Sequence, residues 1–340
     1  MRKVSVVILN WNGAEMLRTF LPSVVKYTNP ELAEVCVADN GSTDNSVDIV
    51  RDEFPSVRLI SFKENYGFAE GYNKVMDNVA TDYVVLLNSD VEVTEGWIEP
   101  ILSYMESHKD VAACQPKILN YHDKKKFEYA GASGGYIDKY GYPFCRGRVF
   151  DSLETDNGQY DTPADIFWAS GAAMFVRRDV YVAVGGLDPK FFAHMEEIDL
   201  CWRLLSRGYR LVCIPESKVY HVGGATLKKE NPKKTYLNFR NNLLMMYKNL
   251  PSDELRKVMI VRCFLDYLAV VFYILKFDFS NASAVVKARK DYSFMRKDFK
   301  SLRDENLRQT KWSKLKFRYD FSLILQSKIF GKTTYSRLVK

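Results

Sequence analysis

The segment Tyr83-Val-Val-Leu-Leu-Asn-Ser-Asp90 constrains this chain more than any other, because an apolar run stops abruptly on a carboxylate. Val84, Val85, Leu86 and Leu87 read as a strand buried on both faces, the pattern of a parallel strand inside an α/β sheet. Ligands of open α/β sheets bind in the crevice just past the carboxyl ends of such strands, so Asp90 is expected at its mouth. An Asp there also serves as a turn or helix-cap residue. What favours a functional role is that three other stretches place polar residues after apolar runs in the same way.

The preceding chain alternates regularly. Residues 4–9 read as a buried strand and 14–26 as a helix closed by Asn29-Pro30; residues 34–39 are a second strand. Asp44 caps a helix that runs to Phe54 and is broken by Pro55. A third strand covers 57–62, a helix covers 68–79, and the fourth strand leads into Asp90. This β-α-β-α-β-α-β order with short connections requires a doubly wound, mostly parallel sheet with right-handed crossovers. The first turn, Asn10-Trp-Asn-Gly13, lacks G-x-G-x-x-G and the chain has no P-loop, which argues against a dinucleotide-dependent dehydrogenase.

Two further strand ends carry chemistry. Asp39-Asn-Gly-Ser-Thr-Asp44 supplies a carboxylate, a turn glycine and several hydroxyl and amide groups, suited to the ring N–H of a uracil or thymine, or to ribose hydroxyls; it reads equally as an Asx turn followed by an N-cap. Asn65-Tyr-Gly-Phe-Ala-Glu-Gly-Tyr-Asn73 opens a helix, with Gly67 permitting close backbone approach and Asn73 on the helix.

Together, Ile8-Leu-Asn-Trp-Asn-Gly13, residues 38–44, Asn65-Tyr-Gly-Phe68 with Gly71 and Asn73, and Leu86-Leu-Asn-Ser-Asp90 resemble the nucleotide-sugar half of family 2 glycosyltransferases of the GT-A fold, in particular the rhamnosyltransferase-like branch. Ser170-Gly-Ala-Ala-Met-Phe-Val-Arg177, Gly185-Gly-Leu-Asp188, Phe191-Phe192, Glu196-Glu-Ile-Asp-Leu-Cys-Trp-Arg203 and His221-Val-Gly-Gly-Ala-Thr226 resemble that family's acceptor half. The resemblance implies a domain over residues 1–226, with a nucleotide-sugar half to 118 and an acceptor half from 119. It implies nucleotide-sugar contacts from Asn10, Asp39, Asn40, Ser42, Asn65, Gly67, Asn73, Asn88 and Ser89. The expected donor is a UDP- or dTDP-sugar, rhamnose among the candidates, and the expected acceptor a glycan or lipid-linked glycan of a cell-surface polysaccharide, with inversion at the transferred sugar.

Sugar transfer releases a diphosphate, so a divalent cation, Mg²⁺ or Mn²⁺, is expected to neutralise the developing charge. Asp90 holds the last position of the family's D-x-D element. The first is Asn88, a weak ligand, which leaves Asp90 as the main protein contact, with His221 similar to the family's distal metal-binding histidine. For the base, residues 196–207 read as a helix ended by Gly208, preceded by Phe191-Phe192, an aromatic pair able to wall a sugar site beside Glu196. Neighbours on a helix point about 100° apart, so only one of Glu196 and Glu197 faces the donor. The family pattern of Glu-Asp puts Glu197 in the role of base; the departure by one methylene keeps Asp199 in reserve.

Composition bounds the rest. With 340 residues, 47% hydrophobic and 27% charged, the chain is globular rather than disordered. Six cysteines without a C-x-x-C pair indicate neither zinc nor a disulfide framework, and Met1-Arg-Lys3 with six mostly apolar residues is too short for a signal peptide, so a cytoplasmic place is expected. Residues 120–165 read as hairpins and loops shaping the acceptor cleft. Charge is uneven: residues 1–220 carry −9 and the rest +16. Residues 227–340 are thus expected to form a helical, basic extension for an anionic partner, a membrane surface at the inner face of the cell membrane before a nucleic acid. Residues 255–277 have too short an uncharged run to span a bilayer and, with Arg262 and Asp266 on one face, read as an amphipathic helix. Residues 311–340, with eight basic side chains, one acid, and Trp312, Phe317, Tyr319, Phe321 and Phe330, suit anionic headgroups. The competing class is a non-catalytic nucleotide-binding protein whose basic region holds nucleic acid or membrane.

Overall fold

In the computed structural model, which describes residues 2–223, 231–312 and 315–339, the alternation seen in the sequence becomes β1 (Val4–Asn10), α1 (Ala14–Tyr27), β2 (Ala33–Asp39), α2 (Ser46–Glu53), β3 (Arg58–Ser61), α3 (Gly67–Met76) and β4 (Tyr83–Leu87). Every residue of β4 is buried, as a central strand with helices on both faces demands. Then follow β5 (Val91–Val93), α4 (Glu99–Ser107), β6 (Val111–Asn120), four short strands β7 (Gly135–Asp138), β8 (Pro143–Cys145), β9 (Arg148–Val149) and β10 (Ser152–Leu153), and β11 (Ala164–Asp165), β12 (Ala173–Arg177) and α5 (Arg178–Ala183). Next come α6 (Glu196–Ser206) and β13 (Arg210–His221). The remainder is α7 (Pro232–Asn249), α8 (Ser252–Leu275), α9 (Phe279–Met295), α10 (Lys300–Gln309), β14 (Arg318–Tyr319) and α11 (Tyr335–Leu338).

The main sheet runs β11-β13-β6-β12-β4-β1-β2-β3, with β5 pairing β13. It is parallel across β4-β1-β2-β3 and mixed beyond, because β12 enters antiparallel between β4 and β6. The chain steps outward from β1 through β2 and β3, then returns to the other side of β1 as β4. The strand order therefore reverses between β1 and β4, and a crevice opens at their carboxyl ends, where Asn10 and Asn88–Asp90 lie.

After α6, β13 passes Pro215 and continues to His221. Pro215 interrupts the pattern, and the register against β6 shifts between Ile214 and Lys218. A strand proline is tolerated at such a bulge, and beyond it the strand resumes with His221 opposite Val91 of β5, the residue after Asp90. Residues 120–165 do form hairpins, assembled as a second sheet β10-β9-β8-β7-β14.

That last strand revises the view of the C-terminal region. β14 pairs parallel to β7, and Phe317, Tyr319 and Phe321 pack against Tyr136 and Phe144 rather than facing headgroups. Of the tail's aromatics, Trp312 and Phe330 stay exposed. One hydrophobic cluster runs from Val7 and Val84 through Leu243, Met246 and Phe299 to Leu338, so the described residues of the C-terminal region are built into the same core. The expected boundary at 226, and residues 224–226 of the His221 motif, lie outside the described residues. All six cysteines are free and five are buried.

Candidate active site

The crevice begins at β1 and β2. Asn10 and Asp39 are buried; Asp39 accepts hydrogen bonds from Asn10 Nδ2 at 3.2 Å and from the Ser42 amide at 3.0 Å, which is the Asx turn expected of this stretch. Ser42 Oγ in turn accepts from the Asn12 amide at 2.9 Å. Asn10 Oδ1 is buried without a hydrogen-bond partner, and a Cβ at Gly13 would stand 2.4 Å from it, so only glycine lets this turn close beside Ser89. A second link crosses to α3. Asn40 Nδ2 donates to Asn65 Oδ1 and to the Gly67 carbonyl, both at 3.0 Å, and Asn40 Oδ1 accepts from the Tyr66 amide. Asn40 and Asn65 thereby hold Gly67, at φ +77°, against the face of the exposed Phe192.

At the end of β4, Asn88 donates its amide N–H to the Ala172 carbonyl at 3.0 Å. Asp90 Oδ1 lies 3.1 Å from His221 Nε2, and Asn88 Nδ2 lies 3.4 Å from the same nitrogen. Behind the imidazole, Nδ1 faces Glu128 Oε2 at 3.4 Å. Glu128 is buried and is held by the Ala130 amide. Burial raises the Asp90 carboxyl, but the hydrogen bond and charge of His221, with backbone amides, together outweigh it and leave Asp90 below the usual carboxylate range. Burial lowers the His221 imidazole, yet Asp90 and Glu128 together push it up to about 10.

These residues fit a divalent cation. A carboxylate and an imidazole converge at 3.1 Å with an amide beside them, and a buried carboxylate orients the far side of the imidazole, the arrangement that fixes histidine ligands at metal centres. Among the described residues no three His, Cys, Asp or Glu side chains converge, so a cation would draw its other ligands from a diphosphate and water. Glu128 was not singled out by sequence. It follows β6 in a stretch without pattern, and only its packing on His221 reveals it.

Glu197 lies beside Gly171. Gly171 separates Ala172 from Ser170, and a Cβ placed there lies 3.4 Å from the Phe68 ring and 3.9 Å from Glu197 Cβ. The base candidate therefore borders the same loop that anchors Asn88. Burial pushes the Glu197 carboxyl up to about 7, with amides of the helix start opposing. Glu196 is also raised well above the usual range, by burial and then by the charge of Glu197. The Oε2 atoms of both are buried and unpartnered.

The turn that presents these acids is strained. Phe192, His194 and Met195 all have φ between +67° and +73°, a region costing a non-glycine residue about 1–2 kcal/mol. Asn241 of α7, fully buried, clamps it: its Nδ2 reaches the carbonyls of Phe191 at 2.9 Å and of Ala193 and His194 at 2.8 Å. His194, whose buried Nε2 has no hydrogen-bond partner, is held neutral, its imidazole pushed down to about 4 by burial and then by Lys234.

Three sequence expectations need correction. Asp199, the reserve base, is fully buried beneath the helix; it pairs with Arg203 at 2.9 Å and Lys248 at 2.9 Å and accepts from Asn249 at 2.7 Å. It is three residues from Glu196 but on the core side, and burial is outweighed by Lys248 and Arg203, which hold its carboxyl low. Phe191 is fully buried against Phe299, so only Phe192 of the aromatic pair can face a sugar. Asn73 spends its amide on Leu187, donating to its carbonyl at 2.7 Å and accepting its N–H at 3.0 Å, and also takes the Tyr181 hydroxyl; it braces the Gly185-Gly186 turn.

The chain belongs to glycosyl transferase family 2, whose family model matches residues 5–181. It is a glycosyltransferase with the GT-A fold. It is similar to the N-acetylglucosaminyl-diphospho-decaprenol L-rhamnosyltransferase of Mycobacterium tuberculosis, 27% identical over 234 residues, which are 64% of this chain and 75% of that protein. It is also similar to rhamnosyltransferase WbbL of Escherichia coli, 27% identical over half of this chain and 63% of that one. Among solved structures, GalNAc-T7 with UDP, GalNAc and Mn²⁺ superposes with a TM-score of 0.59 at 16% identity, over 86% of this chain and 55% of that one. These likenesses do not favour a non-catalytic nucleotide-binding protein.

Proposed function

We propose that this enzyme moves a sugar from a uridine or thymidine diphosphate donor, a deoxysugar such as rhamnose, onto a lipid-linked glycan acceptor in cell-surface polysaccharide synthesis, by a single inverting displacement. The rhamnosyltransferase names of two relatives, one of which acts on a polyprenyl diphosphate, support the substrate classes. The observation that carries the mechanism is Glu197, a half-buried carboxylate with a free oxygen and a raised pKa beside Gly171, in the loop that anchors Asn88. Its Oε2 takes the proton of the acceptor hydroxyl as that oxygen attacks the anomeric carbon and the nucleoside diphosphate leaves. A base with a pKa near the working pH suits such a transfer. Asp90 and His221 would hold a divalent cation, Mg²⁺ or Mn²⁺, whose contribution is to neutralise charge on the departing diphosphate. The buried Asp39 and its neighbours Asn10 and Ser42 bind the nucleoside, and Phe192 offers the acceptor sugar an apolar face.

The decisive experiment is Glu197→Gln, which keeps the shape and removes the base. Donor affinity by calorimetry should be unchanged while transfer falls roughly 10²-fold or more. Transfer at the normal rate would reject Glu197 as base.

A further inference from the structure

The hairpin of α8 and α9 carries an apolar face that none of the described residues covers. α8 touches the body along a narrow stripe: Val258, Arg262 and Asp266 are its buried residues. On the opposite side Ile260, Phe264, Val271 and Leu275 are 45–75% exposed in a row, and the turn that follows presents Phe277 at 82% and Phe279 at 61%. Between Asp266 and Lys276 the helix has no charge at all. Single exposed apolar residues are ordinary, but a contiguous face ending in two bare phenylalanines marks an interaction site.

We propose that this face docks into an anionic membrane surface, with α8 lying in the interface and Phe277 and Phe279 inserted between headgroups. Charge is what selects a bilayer over another protein. Lys276 sits at the tip between Leu275 and Phe277, its ammonium 4.4 Å from the Phe272 ring, and Arg256 and Lys257 are exposed at the other end of the helix. Lysine is depleted from protein–protein interface cores, whereas lysine interleaved with aromatic residues is the composition of interfacial helices. The acids of the hairpin are largely engaged elsewhere: Asp266 with Arg262 and Arg289, Asp278 in capping α9, Asp291 with Lys287 and Glu254 with Arg318.

By length and hydropathy, the 24 residues of α8 could cross a bilayer. The ion pair rules that out for this fold. Arg262 is 1% and Asp266 0% exposed, and Arg262 also donates to the Tyr140 carbonyl at 2.7 Å and to Asn242. A spanning helix would have to pull this network off the body into hydrocarbon, leaving charges unpaired. The helix is therefore bound on one side and apolar on the other, as one lying in the interface is. A shallow cleft lined by Lys233, Tyr236, Ser280, Ser283 and Lys287 leads from the start of α9 to α7, where Lys233 lies 5.5 Å from the Phe192 ring. Docking would thus set the acceptor side of the crevice near the surface that confines a lipid-linked acceptor. Docking itself does not depend on the proposed reaction.

Flotation of the full chain with phosphatidylcholine vesicles, with and without a phosphatidylglycerol fraction, tests this in the absence of any sugar substrate. The expected result is binding that strengthens with the anionic lipid and falls about tenfold or more in the double variant Phe277→Ala/Phe279→Ala, with an unchanged melting temperature and unchanged transfer to a water-soluble acceptor. Phe330→Ala, an exposed aromatic on another element, should bind as the parent does. Equal flotation of the double variant and the parent, indifference to lipid charge, or resistance to alkaline carbonate extraction would overturn the proposal. So would a homodimer in solution that the double substitution dissolves, since the face would then belong to a second copy.

Discussion

Replacing Asn241 should disable the enzyme although this side chain touches neither acid of the Glu196-Glu197 pair. Its amide carries two N–H groups, placed within 2.8–2.9 Å of three carbonyls in the turn before α6. Each such bond contributes about 0.5–1.5 kcal/mol net, and a buried carbonyl left without a partner costs about 1–3 kcal/mol. Removing the clamp therefore costs about 2–4 kcal/mol. The three left-handed residues it restrains hold about 3–6 kcal/mol of backbone strain. The two figures are comparable, so without Asn241 the turn can relax and carry Glu197 away from the crevice. A displacement of about 1 Å is enough to lose roughly 10² in rate. In Asn241→Ala, kcat should fall by about that factor with the donor KM nearly unchanged, and thermal unfolding should come earlier. Asn241→Asp keeps the volume but turns two acceptors toward three carbonyls, and should be at least as impaired. Steady-state kinetics on both variants, with unfolding followed by calorimetry, separates the possibilities. Wild-type kcat in Asn241→Asp would refute the clamp, because that variant cannot donate.

Transfer should rise with pH along a limb centred near 7, because burial lifts the Glu197 carboxyl and the base works only when ionised; Glu196→Gln should keep that limb, since burial and not Glu196 raises the Glu197 carboxyl. A flat pH–rate profile from pH 5 to 9 would contradict it. Asp90→Asn should remain folded while losing several kcal/mol of transition-state stabilisation. Glu128→Gln should weaken Mn²⁺ binding about 10–100-fold, as loss of a histidine's supporting carboxylate does, a shift that titration calorimetry measures directly. Asp199→Asn should instead act on stability, destabilising the fold by about 3 kcal/mol, the low end for breaking a buried pair, because Arg203 loses its carboxylate partner while Lys248 keeps Asp188; a variant as stable as the parent but slow in transfer would restore Asp199 as a candidate base.

The sequence and the structure agree where short-range rules apply. The β4 run and its terminal Asp90 are visible because burial on both faces leaves an uninterrupted apolar string. Asp39, Asn40 and Ser42 are visible because an Asx turn has a local signature. Pairings across long separations are not visible. Asn73 looks like a ligand on its helix face, and only Leu187, 114 residues away, reveals that its amide is taken. Phe191 and Phe192 are identical in sequence, yet a left-handed turn sends one into the core and the other to the surface.

By itself, then, the sequence determined the α/β alternation, the crevice at the ends of β1 and β4, the family and the candidates Asp90, His221 and Glu197. Those follow from periodicity, strand ends and ordered motifs, each set within a few residues. Only the tertiary structure decided that α7 braces the acids through Asn241, Lys248 and Asn249, that Glu128 backs His221, and that the basic tail closes the second sheet through β14. It also decided which side of α8 is left bare. The reason is that hydrogen bonds and ion pairs between segments 50 to 185 residues apart depend on where the folded chain brings them. No local pattern carries that information.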